Sequence, residues 1–278
     1  MHVNVEKIAN GTPDVIVDAA SLPPYGNSTL PPAIRSLIVN NINGLVMHVL
    51  EAGFDTKGRP CILLLHGFPE LAYSWRKVML PLAAAGYHVV APDQRGYGRT
   101  TGWDDAYDGD LDSFRIPNLV RDALGLVSAL GYRSVAAVIG HDFGSPVAAF
   151  CAVIRPDVFR SVALMSAPFG GPPPLPFNTA DAPAETVTPA LTNVFEDLAK
   201  LDRPRKYYQQ YYRTREANDN KWRAPQGVHA FLRAYYHFKF FVGEPSAFSD
   251  LLGRRHFLRD GFRHPLAEIH DVVGRHFR

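Results

Sequence analysis

Cysteine is scarce: the chain has two in 278 residues, Cys61 and Cys151, each inside an apolar run. That excludes a disulfide framework and a cysteine-based metal centre, and it fits buried free thiols in a reducing cytoplasm. An excess of one charge is lacking too, since 29 Lys and Arg face 27 Asp and Glu, a formal net charge of +2. So small a balance gives no electrostatic footprint for nucleic acid or an anionic membrane. Long hydrophobic runs are missing from the start of the chain. The lead holds Glu6, Asp14 and Asp18 with prolines at 13, 23, 24, 31 and 32, and no stretch of it suits a signal peptide or a membrane span. Gly-x-Ser-x-Gly and His-Glu-x-x-His occur nowhere, which disfavours a serine esterase and a zinc hydrolase.

What is present is a large apolar fraction, 46% against 20% charged, enough for a sizeable core. Charge is unevenly spread: the first 200 residues carry net −5 and the rest net +7. After the Pro-rich lead of 1–34, Arg35–Asn40 and Leu45–Ala52 read as strands joined by a tight Asn- and Gly-bearing turn. Apolar runs then alternate with helical stretches. Cys61–Leu65 precedes Ala72–Ala85, His88–Ala91 precedes Asn118–Leu130, Ser134–Ile139 precedes Ser145–Ile154, and Ser161–Met165 follows. This is the pattern of an α/β domain over 35–166, a mostly parallel sheet with an antiparallel start, covered on both faces.

The Pro-rich stretch from 166 to 183 predicts a domain boundary. Beyond it Glu185–Leu201, Arg205–Asn218 and Gln226–Lys239 read as helices without strands, a helical lid over 167–239. Tyr207, Tyr208, Tyr211 and Tyr212 form a stripe whose plainest reading is a packing face. The acidic stretch Asp104–Asp112 has its glycine in the wrong place for a calcium loop and reads as solvated surface.

The chemistry is concentrated in Gly140-His141-Asp142-Phe143-Gly144, where an apolar strand runs through a small-x-Asp-x-small turn into a helix. An aspartate merely capping a helix would be commoner on residue type alone, but the flanking glycines and preceding strand favour a nucleophile elbow. A carboxylate stabilised at a helix end can attack an sp³ carbon and form an ester. His66-Gly67-Phe68-Pro69-Glu70 follows the strand ending at Leu65, where such a fold supplies an oxyanion-hole N–H. The amides of Phe68 and Phe143 would then face one point. A third segment, Arg95-Gly96-Tyr97-Gly98-Arg99-Thr100, is a glycine-rich turn and no dinucleotide fingerprint.

These three motifs, in this order, resemble the epoxide hydrolases of the α/β-hydrolase fold over residues 35–239. The resemblance implies that Asp142 opens an epoxide through an ester intermediate to a diol, with Phe68 and Phe143 forming the oxyanion hole. His66, Gly67, Pro69, Gly140, His141 and Gly144 build the motifs. A lid tyrosine protonates the epoxide oxygen, best matched by Tyr208 with Tyr207 as fallback. The substrate implied is a small epoxide, with no cofactor, no metal, no nucleic acid and no membrane span.

The resemblance stops at Lys239. Phe240–Arg278 has six Arg, four His and no Lys, and shows neither the second lid tyrosine nor the last strands with their acid and base. His256, His264, His270 and His276 lie there, and none is assigned as the base. The expectation is a truncated or frame-disrupted family member with an unassigned tail over 240–278 and exposed edges that invite homo-oligomers. Two other functions compete. A haloalkane-type dehalogenase would also use Asp142, but Phe143 offers no ring N–H for a halide, and Trp75, Trp103 and Trp222 lie outside the elbow. An inactive remnant would instead bind an acidic partner through its positive last third.

Overall fold

Cys61–Leu65 is apolar at every position because it lies mid-sheet with helices on either side. The computed structural model describes residues 15–16, 29–171, 194–202, 204 and 208–241. They fall into two units that divide at Pro173 and Pro174. The first contains β1 (Val15–Ile16), β2 (Ile34–Ile42), β3 (Leu45–Ala52), β4 (Cys61–Leu65), β5 (His88–Pro92), β6 (Ala137–His141) and β7 (Val162–Met165). They form one sheet in the order β1-β2-β3-β5-β4-β6-β7. The pairs β1–β2, β2–β3 and β3–β5 are antiparallel, while β5–β4, β4–β6 and β6–β7 are parallel. The expected mostly parallel sheet with an antiparallel start is thus present.

Side chains alternate between two cores, as the strand pleat requires. Cys61, Leu63 and Leu65 join Val90, Val138 and residues of α2 (Ile116–Ala129) and α3 (Gly144–Ile154) on one face. Ile62 and Leu64 join Val89, Ala91, Ile139 and residues of α1 (Arg76–Ala84) on the other. Both cysteines are buried free thiols; burial, aided at Cys61 by Glu51, pushes that thiol up, and burial pushes Cys151 up to about 12.

Several boundaries differ from the sequence reading. The β2–β3 turn is tighter, with Asn43 and Gly44 at φ 51° and 82°, and a register shift near Asn41 at φ 59° lets β2 run on to Ile42. The stretch Ala72–Ala85 opens as a 3₁₀ turn, Ala72–Trp75, before α1. The sixth strand begins three residues late because Val135 makes only a single bridge, to Phe159, and continuous pairing with β4 starts at Ala137. Asp104, Asp105, Asp108, Asp110 and Asp112 are all exposed, as expected of a solvated loop.

The second unit contains α4 (Val194–Ala199), α5 (Tyr208–Tyr211), α6 (Glu216–Trp222) and α7 (Gly227–Phe241). The helix expected over 205–218 is two pieces. Thr214 is the reason: its Oγ1 donates to the Tyr211 carbonyl at 2.7 Å and its N–H to the same oxygen at 3.0 Å, closing the turn. Of the tyrosine stripe, Tyr211 and Tyr212 pack against each other with ring centroids 5.6 Å apart, and Tyr207 lies outside the described residues. Tyr212 meets Tyr235 edge-on with ring centroids 6.4 Å apart, and Lys221 Nζ lies 5.6 Å from the Tyr212 ring centroid.

Candidate active site

Three glycines shape the ground around Asp142, and each contact is steric. A Cβ on Gly140 would lie 2.2 Å from the Gly144 carbonyl oxygen, and one on Gly144 would lie 2.3 Å from the Leu65 carbonyl oxygen. A Cβ on Gly67 would lie 2.4 Å from the Asp142 Cβ. Real side chains do not approach so closely, so strand β6, the turn and the end of β4 interlock only if all three positions are bare. The chain passes through Asp142 at φ 51°, a left-handed conformation that L-residues seldom adopt and that persists where neighbours enforce it.

The enforcing bonds are visible. The Asp142 N–H donates to the Met165 carbonyl at 2.9 Å, and the Asp142 carbonyl accepts the Ser145 N–H at 3.0 Å. Ser145 is buried, and its Oγ lies 2.8 Å from the Gly140 carbonyl and accepts the Met165 N–H at 3.1 Å. Phe143 is the last residue before α3 and is 54% exposed. The deciding contact comes from the loop after β4: the Phe68 N–H donates to Asp142 Oδ1 at 3.0 Å. One carboxylate oxygen is therefore held by a backbone donor from the loop after β4.

Residues 60–236 match the family described as alpha/beta hydrolase fold. The chain belongs to that family. Curated relatives of this α/β hydrolase include an epoxide hydrolase of Caballeronia sordidicola, 35% identical over 166 residues, or 60% of this chain and 42% of the relative. Epoxide hydrolase B of Mycobacterium tuberculosis is 41% identical over 131 residues, 47% of this chain and 35% of the relative. Among solved structures, potato (Solanum tuberosum) epoxide hydrolase I is 32% identical with a TM-score of 0.53, covering 72% of this chain and 55% of that one. The chain spans less than half the length of those two curated relatives.

Around Asp142 the α/β hydrolase gathers groups that the motifs named without assigning. His66 is buried, and its Nε2 accepts the Gln94 N–H at 3.0 Å, so its proton sits on Nδ1, which donates to the Gly67 carbonyl at 2.9 Å. Burial is the main cause that lowers the His66 pKa, against weaker opposing pulls from the Gly67 carbonyl, Asp93 and Glu70, so the ring is neutral. Tyr97 packs edge-on to His66 with centroids 4.9 Å apart. Its hydroxyl is pushed up to about 12 by burial and by the charge of Asp142, which puts this phenol in the field of that carboxylate. His141 Nδ1 lies 3.1 Å from Glu70 Oε2, pairing the residue before Asp142 with the far end of the Phe68 loop.

The predicted site residues are thus brought together where they lie in the first unit: His66, Gly67, Phe68, Pro69, Gly140, His141, Asp142, Phe143 and Gly144 all meet at the C-terminal ends of β4 and β6. Tyr208 opens α5, half-buried, with Gln209 Nε2 donating to its hydroxyl at 3.3 Å. Tyr207 and the four tail histidines lie outside the described residues. Trp75 and Trp103 serve the packing, and Trp222 is 63% exposed in the second unit. Among the described residues no group of three or more His, Cys, Asp or Glu could hold a metal ion. Tyr97 and Glu70 were within reach of the sequence, since both lie inside quoted motifs. Which residue of one motif each would meet in another was not.

Proposed function

We propose that the chain carries out epoxide opening through an ester on Asp142. The observation that carries this reading is the Phe68 N–H on Asp142 Oδ1, at the apex of a sterically enforced elbow. With Oδ1 held, Oδ2 attacks an epoxide carbon. A C–O bond to Asp142 forms, a ring C–O bond breaks, and the electron pair passes to the epoxide oxygen, which takes a proton from the Tyr208 hydroxyl in the lid over 167–239. Water then adds to the ester carbonyl carbon, and the Phe68 and Phe143 amides receive the oxyanion. Each such donor is worth roughly 2.7–4 kcal/mol where comparable holes have been cut back. Collapse breaks the acyl C–O bond; one proton of the water passes to the departing alkoxide and the other to the Tyr208 phenolate, so a diol leaves and both the carboxylate and the phenol are restored. The relatives' names support an epoxide as substrate.

Buried thiols support a reducing, cytoplasmic setting. Among the described residues β7 has a partner on one side only, which supports self-association through that edge. No helix among the described residues is long and apolar enough to cross a membrane.

The test is the intact mass of the purified chain after incubation with styrene oxide, with diol assayed in the supernatant. An Asp142-dependent mass gain is expected, absent in Asp142→Ala. Mass gain without diol assigns the chain the first half of the reaction, and diol at turnover assigns it both. A chain that gives no adduct and no diol refutes the proposal.

A further inference from the structure

At the base of the Arg-Gly-Tyr-Gly-x-Thr turn lies a buried carboxylate whose two oxygens meet three partners. Asp93 is fully buried at the end of β5. Its Oδ2 lies 2.8 Å from His48 Nδ1 and accepts the Arg99 N–H at 3.0 Å. Its Oδ1 accepts the Ala72 N–H at 2.9 Å. His48 is fully buried in β3, and its Nε2 lies 2.7 Å from Ser36 Oγ. Thr100 completes the knot, donating to the Asp93 carbonyl and accepting the His48 N–H at 3.0 Å. A Cβ on Gly98 would lie 2.1 Å from Asp93 Oδ2, so glycine there leaves room for the carboxylate.

Ser36, His48 and Asp93 stand in the order of a hydrolytic triad. They cannot act as one in this arrangement. His48 has no exposed surface, so its ring cannot hand a proton to a leaving group. What Asp93 does touch is the loop that carries Phe68. Ala72 begins the 3₁₀ turn that closes this loop, and His66 begins the loop. Asp93 holds the Ala72 end, and its neighbour Gln94 holds the His66 end through its N–H at 3.0 Å and its side-chain amide on the His66 carbonyl at 2.5 Å. Two adjacent residues therefore grip both ends of one loop, and the Phe68 N–H lies between the grips.

We infer that Asp93, oriented by His48, is a positioning residue that sets the Phe68 N–H against the Asp142 carboxylate. The consequence for chemistry rests on the ester reading above, whereas the positioning itself does not. Charge-assisted bonds from buried donors are the stiff kind, so the grip transmits small displacements of Asp93 to the loop.

The test uses the full chain with ¹⁵N-labelled phenylalanine. The Phe68 amide is identified as the resonance lost in Phe68→Leu and moved in Asp142→Ala. Asp93→Asn and His48→Ala are expected to move it in the same direction as Asp142→Ala. His48→Asn, whose amide nitrogen replaces Nδ1 as donor to Asp93, is expected to leave it near the wild-type position. With styrene oxide the two disruptive variants should gain Asp142-dependent mass or release diol on the order of 10- to 100-fold more slowly, since about 1 Å of misplacement costs about 10²-fold. A Phe68 amide unmoved in folded Asp93→Asn or His48→Ala overturns the inference, whatever their melting temperatures. Should Asp93→Asn not fold, the two His48 variants decide alone. A wild-type chain that yields neither mass gain nor diol refutes the ester reading and leaves the amide test standing.

Discussion

Replacing Gly67 with alanine should damage the site far more than the fold. The new Cβ would lie 2.4 Å from the Asp142 Cβ and 2.7 Å from the His141 carbonyl oxygen. Ordinary carbon contacts are about 3.5–4.0 Å, so either the turn or the loop must move by roughly 1 Å. The turn is tied to Met165 and Ser145, and the loop is tied at both ends to residues 93 and 94. Whichever yields, the 3.0 Å bond from Phe68 to Asp142 opens to about 4 Å and ceases to be a hydrogen bond. The expected loss is about 10²-fold in the rate of Asp142-dependent mass gain, with ~1–3 kcal/mol of stability from overpacking. Gly86→Ala is the matched control. Gly86 has φ 96° and nothing within 4 Å of a Cβ, so it should cost about 1 kcal/mol of backbone strain and leave the mass gain unchanged. A Gly67→Ala chain that melts and reacts like wild type would refute the steric account of the elbow.

Removing the charge of Asp142 by Asp142→Asn should lower the Tyr97 pKa from about 12 while leaving it above 10, because burial is the larger cause and persists; the difference in phenolate absorbance between the two chains reads this. His66 has a folded pKa below its usual 6.5, so its contribution to stability is complete above about pH 6.5 and declines as pH falls below that value, where the unfolded chain binds the extra proton. Urea midpoints at pH 7.5 and 5.0 should therefore differ less in His66→Gln than in wild type. Asp93 has its carboxyl held low, since bonds from His48, Arg99 and Ala72 outweigh the opposing effect of burial; its contribution is present above about pH 4 and lost as pH falls further, so acid unfolding should begin at a different pH in Asp93→Asn. Arg95 holds Asp122 through two bonds of 2.8 and 2.7 Å, and Asp122→Ala, which strands the buried guanidinium, should cost about 3–5 kcal/mol in denaturant unfolding.

The sheet was legible where its strands are wholly or mostly apolar: Cys61–Leu65 is apolar at every position, Leu45–Ala52 departs from this only at His48 and Glu51, and both were read with the bounds they have. Strands that depend on a partner were not. Val15–Ile16 is too short to show a period and exists through its pairing with Ile38 and Val39, and the start of β6 is set by where β4 offers a neighbour. Asp142, Phe68 and the elbow glycines were legible because each lies in a short local motif. Asp93 and His48 were invisible as a pair, being 45 residues apart and joined only by the fold. Thr214 split a helix that a tyrosine period had suggested was continuous, since a hydroxyl that competes for backbone carbonyls is not seen by hydrophobic spacing.

The three bare positions around Asp142 work like a mould. Gly140 and Gly144 press only on backbone, and the nearest atom to Gly67 is a Cβ that every residue but glycine possesses. The left-handed turn is consequently indifferent to what the central side chain carries beyond its first carbon. Serine, cysteine or asparagine would be presented from the same apex with the same backbone. Reaction class is therefore open to a single substitution at position 142, while the capacity to present any nucleophile at all resides in glycines that take no part in the chemistry.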